Sequence, residues 1–501
     1  MTTDTAQADS GFKVLHCPDR IVITGTSIDI GHEDAMRGFS KAHGIDEMHV
    51  AAWARPLTDR IKAMSAAYGA TTPQGIIDCN TYKGRKDDMV KSLRQAARRV
   101  RRRFICGFRS MESCRTFYRS LSKAAALKGS PFYLRPNKCL HFYFYFEDPI
   151  LGLVSLRIQS YAPFGIQFIV NGHEILSRLL TKHGIRHTRH ENCLTSVSNM
   201  ERAQELADTI TGPFLDDNLQ RIIGEEVPLA DVLPRGYRLT VRQVEYSTDM
   251  YLTTPRYASE RYTQLVRQLT LHHPQEFLSY LTNATRRSRD PRCTTRRNHL
   301  GTCVKFHSGP LSIKVYHKEP HIIRIETTSY NLTKIRAVRC CVTRAGTTEI
   351  KRAQLTRSLK DIQLFWTFAR HANIRMLHRL SDIWNRCYTP QHMRRLANRT
   401  STPGTTYRGI NLFDDHDGRI ITVINDPSHD LTGFKRSDIL SAMPGITKHQ
   451  ATYALRRLRA HGLIKKEARS HRYFPTRLGR QSQTACVALH SLIVLPLLAA
   501  S

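Results

Sequence analysis

Three observations predict a multidomain α+β protein. Apolar and polar residues alternate through the middle of the chain, a helix–turn–helix–hairpin order stands near its end, and the length is 501 residues. A chain this long exceeds what one hydrophobic core serves, so two to four domains are expected. The expected order is a small α/β domain over 12–130 and a core on an antiparallel sheet over 131–345. A helical connector follows over 346–400, then a helix-turn-helix with a hairpin over 407–482, and an apolar C-terminal helix over 483–501.

Taken in order, "RIVITGT" (20–26) reads as a buried strand, followed by helical spacing in "HEDAMRGFSKAHG" and "VAAWARPLTDRIKAMSAAYG", each closed by Gly. "KDDMVKSLRQAARRVRRR" (86–103) is a further helix carrying six arginines, and "RFICGF" (103–108) returns to strand. From about 135 the period becomes two. "CLHFYFYF" (139–146), "LVSLRIQSY" (153–161) and "GIQFIVNG" (165–172) read as antiparallel strands, followed by helices in "HEILSRLLTKHG" and "MERAQELADTI". "RLTVRQVEYSTDM" (238–250) alternates again, a helical run covers 256–283, and "GTCVKFH" (301–307) leads into a hairpin at "SIKVYHKEPHIIRIETT" (312–328). Residues 353–398 read as helical and basic.

Charge is the loudest feature of composition. Lys and Arg number 76 against 42 Asp and Glu, a formal net charge of +34. Such an excess repels itself unless a polyanion is near, which points to nucleic acid before a membrane surface. The twelve cysteines form no CxxC pair, which argues against a structural zinc site. With no signal peptide at the start, reduced thiols and a cytoplasmic location are expected. The tail "ACVALHSLIVLPLLAAS" has an apolar core shorter than the roughly 20 residues of a span. It reads as a covering helix or a contact between two copies.

Near the C-terminus, "KRSDILSAM", the turn "PGIT", the helix "TKHQATYALRRLRAHG" and the strands "LIKKE" and "HRYFPT" follow in winged helix-turn-helix order, with a first helix around "GRIITVIND". The second helix of that motif would present Thr447, Lys448, His449, Gln450, Tyr453 and Arg456 to a major groove. The wing would reach the flanking backbone through Lys465, Lys466, Arg469, His471 and Arg472.

In the 312–328 hairpin, alternation puts Lys314, Tyr316 and Lys318 on one face, and Arg324, Glu326 and Thr328 on the matching face of the return strand. A three-residue turn at Glu319-Pro320-His321 sets Tyr316 opposite Arg324 and Lys314 opposite Glu326. Cations beside a phenol would lower its pKa and clamp a phosphate, which is what a tyrosine needs to attack a phosphodiester. A metal would polarise that phosphate. Its candidate ligands are His141 of "CLHFYFYF" and Glu245 and Asp249 of "QVEYSTD", an oxygen-rich set suited to Mg2+ or Mn2+. A bland reading is open beside this one: a Tyr–Arg pair on a basic sheet, with single-stranded nucleic acid lying on Tyr143 and Tyr145.

"SIKVYHK" followed by "IIRIETT" resembles the strand pair of rolling-circle replication initiators from plasmids and filamentous phages. That resemblance implies Tyr316 as the nicking residue, with Lys318 and Glu326 beside it. Those initiators of the HUH type carry His-hydrophobic-His, whereas "HFY" (141–143) has only the first histidine. "LRRLRAHGLIKK" resembles winged-helix regulators of the MarR type. Across almost its whole length, through "DRIVITGT", "KCLHFYFYF", "LGLVSLRIQSYAPFGIQFIVNG", "QVEYSTD", "SIKVYHK" and "RIETT", the chain resembles a set of bacterial proteins common on mobile elements and in environmental genomes. Where that set more usually carries Tyr-Asp-Lys, His317 stands here. That resemblance implies the domain order and a bacterial origin and leaves the reaction open. The winged-helix order and the charge point to a DNA-binding protein of a mobile element, a regulator or an accessory factor. The alternative is a metal-dependent tyrosine nickase of replication-initiator or transposase type. RNA binding ranks third, because no RRM aromatic signature and no KH loop is present.

Overall fold

The computed structural model describes residues 12–45, 49–119, 132–256, 291–298, 300–342, 346–385, 390–412, 414–426, 433–468 and 470–476, with single positions at 258, 259, 262, 429, 478–480 and 482. The expected apolar helix over 483–501, most of the helical run 256–283, and Arg469 lie outside these residues. No described helix is long and apolar enough to cross a membrane. The chain divides into two compact units, one holding the described residues up to Thr253 with Gly309–Asn373, the other Thr254–Ser308 with the residues from Ile374 onward. The architecture is mixed α and β, as expected.

Nine strands of the first unit share one sheet. They are β1 (Phe12–Ser27), β2 (Ile76–Asp78), β3 (Phe104–Arg119), β4 (Phe132–Asp148), β5 (Gly152–Gln159), β6 (Ile166–Asn171), β9 (Tyr237–Leu252), β12 (Leu311–Glu319) and β13 (Ile322–Ser329). Their order is β2-β3-β4-β5-β6-β1-β9-β13-β12. The pairings are antiparallel except β2 with β3. The expected separation at 130/131 is therefore absent, because β1 lies between β6 and β9 in the middle of the sheet. The hairpin of β7 (His187–His190) and β8 (Cys193–Val197) forms a separate two-stranded sheet that meets β9 through the Tyr251 hydroxyl and the Leu194 carbonyl.

Helices cover the sheet: α1 (Glu33–Ala42), α2 (Val50–Ala70), α3 (Lys86–Arg99), α4 (Gly172–Lys182), α5 (Met200–Asp208) and α6 (Gly212–Glu226). Alternation along β4 explains both layers. Phe142, Phe144 and Phe146 face the main core with Ala54, Leu57 and Ile61 of α2. Tyr145 faces the other way, where α3 buries it with Phe108 through Val90 and Ala97. Each such aromatic stabilises the fold by roughly 1.5–3 kcal/mol. Asp87 and Asp88 at the start of α3 and Arg98 and Arg99 at its end complement the helix dipole. α6, which sequence reading missed, is capped by the Thr211 side chain, which accepts from the Phe214 amide.

The segment 346–400 is not wholly helical. It opens with β15 (Thr348–Gln354), which pairs with β14 (Arg336–Val342). The helices α7 (Ile362–Asn385) and α8 (Pro390–Ala397) follow. Asn373 of α7 bonds Thr327 of β13 at 2.7 Å and Thr248 of β9 at 3.0 Å. β13 is buried along its whole length.

In the second unit, β10 (Pro291–Asn298) pairs with β11 (Gly301–Ser308), and β16 (Thr400–Thr402) with β17 (Thr405–Tyr407). Three helices follow, α9 (Asp415–Ile424), α10 (Arg436–Ala442) and α11 (Lys448–Ala460), then the hairpin of β18 (Ile464–Lys466) and β19 (Tyr473–Pro475). Phe434, between the first two helices, bridges to Tyr473. One apolar core joins Ile421, Phe434, Ile439, Leu455, Leu458 and Ile464.

Arg457 of α11 points into that core and is held by Asp417 of α9 at 2.8 and 2.6 Å. Burial opposes the charge of Asp417, but the hydrogen bonds and charge of Arg457 hold its carboxyl below the ordinary value. Arg457→Leu removes the closer of the two cations on that carboxylate, leaving Arg408 at 3.5 Å, and is expected to cost roughly 3 kcal/mol in urea unfolding at neutral pH. Because the folded pKa is depressed, the stabilisation exists above the unfolded value of about 4 and is lost as pH falls through the folded one. The gap between wild type and variant therefore narrows in acid; a gap independent of pH would show that the pair does not act this way.

Candidate active site

The site is built on β9, β13 and β12 and on an irregularity in β1. The observed register places Lys314 opposite Glu326 and Tyr316 opposite Arg324, as expected. The turn differs: Glu319 pairs with Ile322 and the register shifts between His317 and Glu319, so Pro320 and His321 make the turn and Lys318 occupies a bulge. On the other side, β13 pairs with β9, setting Arg324 opposite Asp249 and Thr328 opposite Glu245. In β1 the register shifts between Pro18 and Ile21, and this bulge carries Asp19.

Arg324 has no exposed surface. Its Nε and Nη2 donate to Asp249 at 2.6 and 2.7 Å, and its Nη1 donates to Asp19 at 3.0 Å. Nη2 also reaches the Asn192 carbonyl at 2.8 Å and His173 Nε2 at 3.1 Å. Burial and then Arg324 push the His173 pKa down to about 3, so the imidazole is neutral. Asp19 is fixed further by the side-chain amides of Asn171 at 2.6 Å and Asn192 at 2.9 Å. Asn171 caps α4 at the same time, accepting from the Glu174 amide.

Next to this network, Asp19, Glu245 and Glu326 each offer an oxygen within 4.8 Å of the others. Tyr316 donates to Glu326 Oε2 at 3.0 Å, and Lys314 bonds the other oxygen of Glu326. Burial and then the charge of Glu326 raise Glu245 to about 7. Burial opposes the charge of Lys314, but Glu326 and Glu245 outweigh it and hold its pKa above the ordinary value. The Tyr316 phenol is pushed well above its usual pKa by burial and by Glu326, with Arg324 opposing. The expected activation of Tyr316 by its cations therefore fails. Arg324 is consumed by Asp249 and Asp19, and Lys314 by Glu326.

The expected metal set changes as well. Glu245 keeps its place, but both oxygens of Asp249 are taken by Arg324, and Asp19 and Glu326 stand in its stead. His141 is elsewhere, grouped with Cys114 and Cys139. The two sulfurs are 2.9 Å apart and His141 Nδ1 is 3.9 Å from Cys139. The described residues thus hold two clusters able to ligate a metal, one of carboxylates and one of thiols with an imidazole. The carboxylate cluster suits a hard cation such as Mg2+ or Mn2+. Its charge fits too: among the described residues Asp19, Asp249 and Glu326 share two cations, Arg324 and Lys314, and Glu245 adds a fourth carboxyl. Tyr143 and Tyr145 offer no stacking platform. Tyr145 is packed under α3, and Tyr143 bonds Glu112 with the Lys86 amine 3.5 Å over its ring.

Among the residues expected to meet DNA, Lys448, His449, Tyr453 and Arg456 share one concavity of about 470 Å3. Thr405, Tyr407, Arg436 and Thr452, which sequence reading missed, complete it. Thr447 and Gln450 are exposed but satisfy each other in a capping box, at 2.8 and 3.2 Å. Lys465, Lys466 and His471 are exposed on or beside the hairpin, and Arg472 is half-buried.

Titration with Mn2+, followed by calorimetry and by loss of the free-ion electron spin resonance signal, tests the carboxylate cluster. Affinity is expected to rise with pH through about 7, because Glu245 holds a proton below that value. Glu326→Gln should weaken binding by about tenfold or more. Equal Mn2+ affinity in both proteins would remove the cluster as a cation site. Compared with protein-family models, curated proteins and solved structures, the chain matches none.

Proposed function

We propose that the chain is a DNA-processing protein that binds DNA through a C-terminal winged helix-turn-helix and joins Tyr316 to a DNA phosphate. The hydrogen bond from Tyr316 to Glu326, inside a cluster of carboxylates, carries this reading. A phenol held protonated needs a base at its oxygen, and Glu326 stands 3.0 Å away. As Tyr316 Oη forms its bond to phosphorus, its proton passes to Glu326. The bond from phosphorus to the departing nucleotide oxygen breaks, and that oxygen takes up a proton from Lys314 or water. The product is a phosphotyrosine ester and a free hydroxyl end. Bound Mg2+ or Mn2+ would draw charge from the scissile phosphate. Arg324 does not touch the strand; it positions Asp19 and keeps β9 and β13 in register.

The winged-helix reading rests on element order. Three helices, the Phe434 bridge between the first two, and a terminal hairpin follow in that motif's sequence. α11, whose N-terminal half lines the basic concavity, would be the helix that enters a major groove. A second reading, a DNA-binding regulator or accessory factor that does not cut, is favoured by the raised phenol pKa.

Incubation with single-stranded DNA and Mn2+, followed by a denaturing gel, separates the two. The wild type is expected to form a covalent adduct that Tyr316→Phe cannot form. Binding without an adduct in either protein would leave the regulator. In equilibrium binding to duplex DNA, Lys448→Ala with Arg456→Ala should reduce the slope of log K against log[salt] by about 2. An unchanged slope would move the DNA surface away from α11.

A further inference from the structure

The first unit holds a second charged site, opposite in sign and unused by the reaction above. Four guanidiniums converge on two carboxylates. Arg94 bonds Glu147 at 2.7 Å and Glu174 at 2.5 Å, Arg98 bonds Glu147 at 2.8 Å, and Arg189 bonds Glu174 at 2.6 Å. Arg178 also contacts Glu147. The side chains of Glu147 and Glu174 are 15% and 5% exposed, so the carboxylates lie at the floor and the arginines around them. Burial and mutual repulsion hold the pKa of Arg98 and Arg178 below the ordinary value. Four positive charges on two negative ones leave an excess of two, on side chains whose water is partly removed.

Above this floor opens a pocket of about 550 Å3. Its rim adds Arg101 and Arg102, and the hydroxyl residues Ser177 and Thr181. Arg102 donates to the carbonyls of Phe104 and Thr71. Arg101 is held at φ +52°, in the left-handed region that few non-glycine residues adopt. Among the described residues no aromatic side chain lines the pocket, so they offer nothing on which a base would stack. Its volume exceeds one phosphate and lies in the range of small-molecule sites. Forked donors in this number suit phosphate oxygens.

We propose that this arginine pocket holds adjacent phosphate groups of a polyanion, recognised by charge and donor geometry and not by base. Two sources share that chemistry, the backbone of a nucleic-acid strand and a free polyphosphate. The site stands on its own charge imbalance and does not depend on the reactivity of Tyr316.

The test uses the full chain carrying Lys448→Ala and Arg456→Ala, so that the C-terminal surface contributes less. Pyrophosphate is titrated by calorimetry, then used to compete with a fluorescent oligothymidylate in an anisotropy assay. Adding Arg98→Gln with Arg178→Gln is expected to weaken pyrophosphate binding by about tenfold or more. Adding Glu147→Gln instead releases guanidinium donors and is expected to tighten it several-fold. Arginines that merely brace the fold would give no such gain, and circular dichroism confirms that each variant is folded. Competition with the oligothymidylate identifies the strand backbone as the source, and its absence identifies a free polyphosphate. Failure of the parent protein to bind pyrophosphate, or equal affinity in all variants, would overturn the proposal.

Discussion

A guanidinium without exposed surface costs several kcal/mol to bury unless every donor is met, and Arg324 is buried in that way. Its partners come from four places in the chain: Asp19 in the β1 bulge, His173 on α4, Asn192 between β7 and β8, and Asp249 on β9. A one-residue slip of β13 would lose them, because it would turn Arg324 to the face that Asn373 occupies. The ion pairs therefore select one pairing of β9 with β13 more than they add to stability. From that pairing the site follows. Glu326 lies one alternation from Arg324 and is brought beside Glu245, and Tyr316 is brought onto Glu326.

The same network explains why the phenol is not activated. Arg324 is held by two aspartates, and burial, followed by the charge of Glu326, outweighs its pull on Tyr316. A tyrosine in such surroundings accepts a base at its proton more readily than it ionises unaided. Local acid–base geometry thus sets its chemistry, where composition alone suggested electropositive surroundings. The net charge of +34 lies elsewhere, in part on the arginines around Glu147 and Glu174.

Much of this was legible in the residues, and the failures have physical causes. Period-two alternation gave the strands, and the β12–β13 register followed from a short turn, which a bulge at Lys318 altered without shifting the pairs beyond it. The helix read in "TKHQATYALRRLRAHG" is α11, and its start is fixed by the Thr447–Gln450 capping box. Asp19 was invisible, because it acts only through a break in the β1 ladder, and alternation assigns such a residue to no face. Asp249 was misread because its face was right but its neighbour was unknown; β13 lies beside β9, across some seventy residues of chain. His141 failed for the reverse reason. Four strand spacings of about 4.8 Å separate β4 from β9, so an alternating face placed it on a sheet with Glu245 but about 19 Å away.

Two charge imbalances of opposite sign persist in one unit because rigid backbone keeps them apart. The first turn of α4 is the divider. His173 turns to Arg324, and Glu174, the next residue, turns to Arg94. That turn reaches β1 so closely that a Cβ on Gly172 would lie 2.1 Å from the Pro18 carbonyl oxygen, which only glycine avoids. Glu174 in turn packs where a Cβ on Gly152, at φ +74°, would collide with it. Held this way, neither the arginines nor the carboxylates relax onto each other. Each set keeps a charge that a ligand of the other sign satisfies, a cation for one and phosphate for the other. On the proposed function, a nucleic-acid strand with its counterions would supply both.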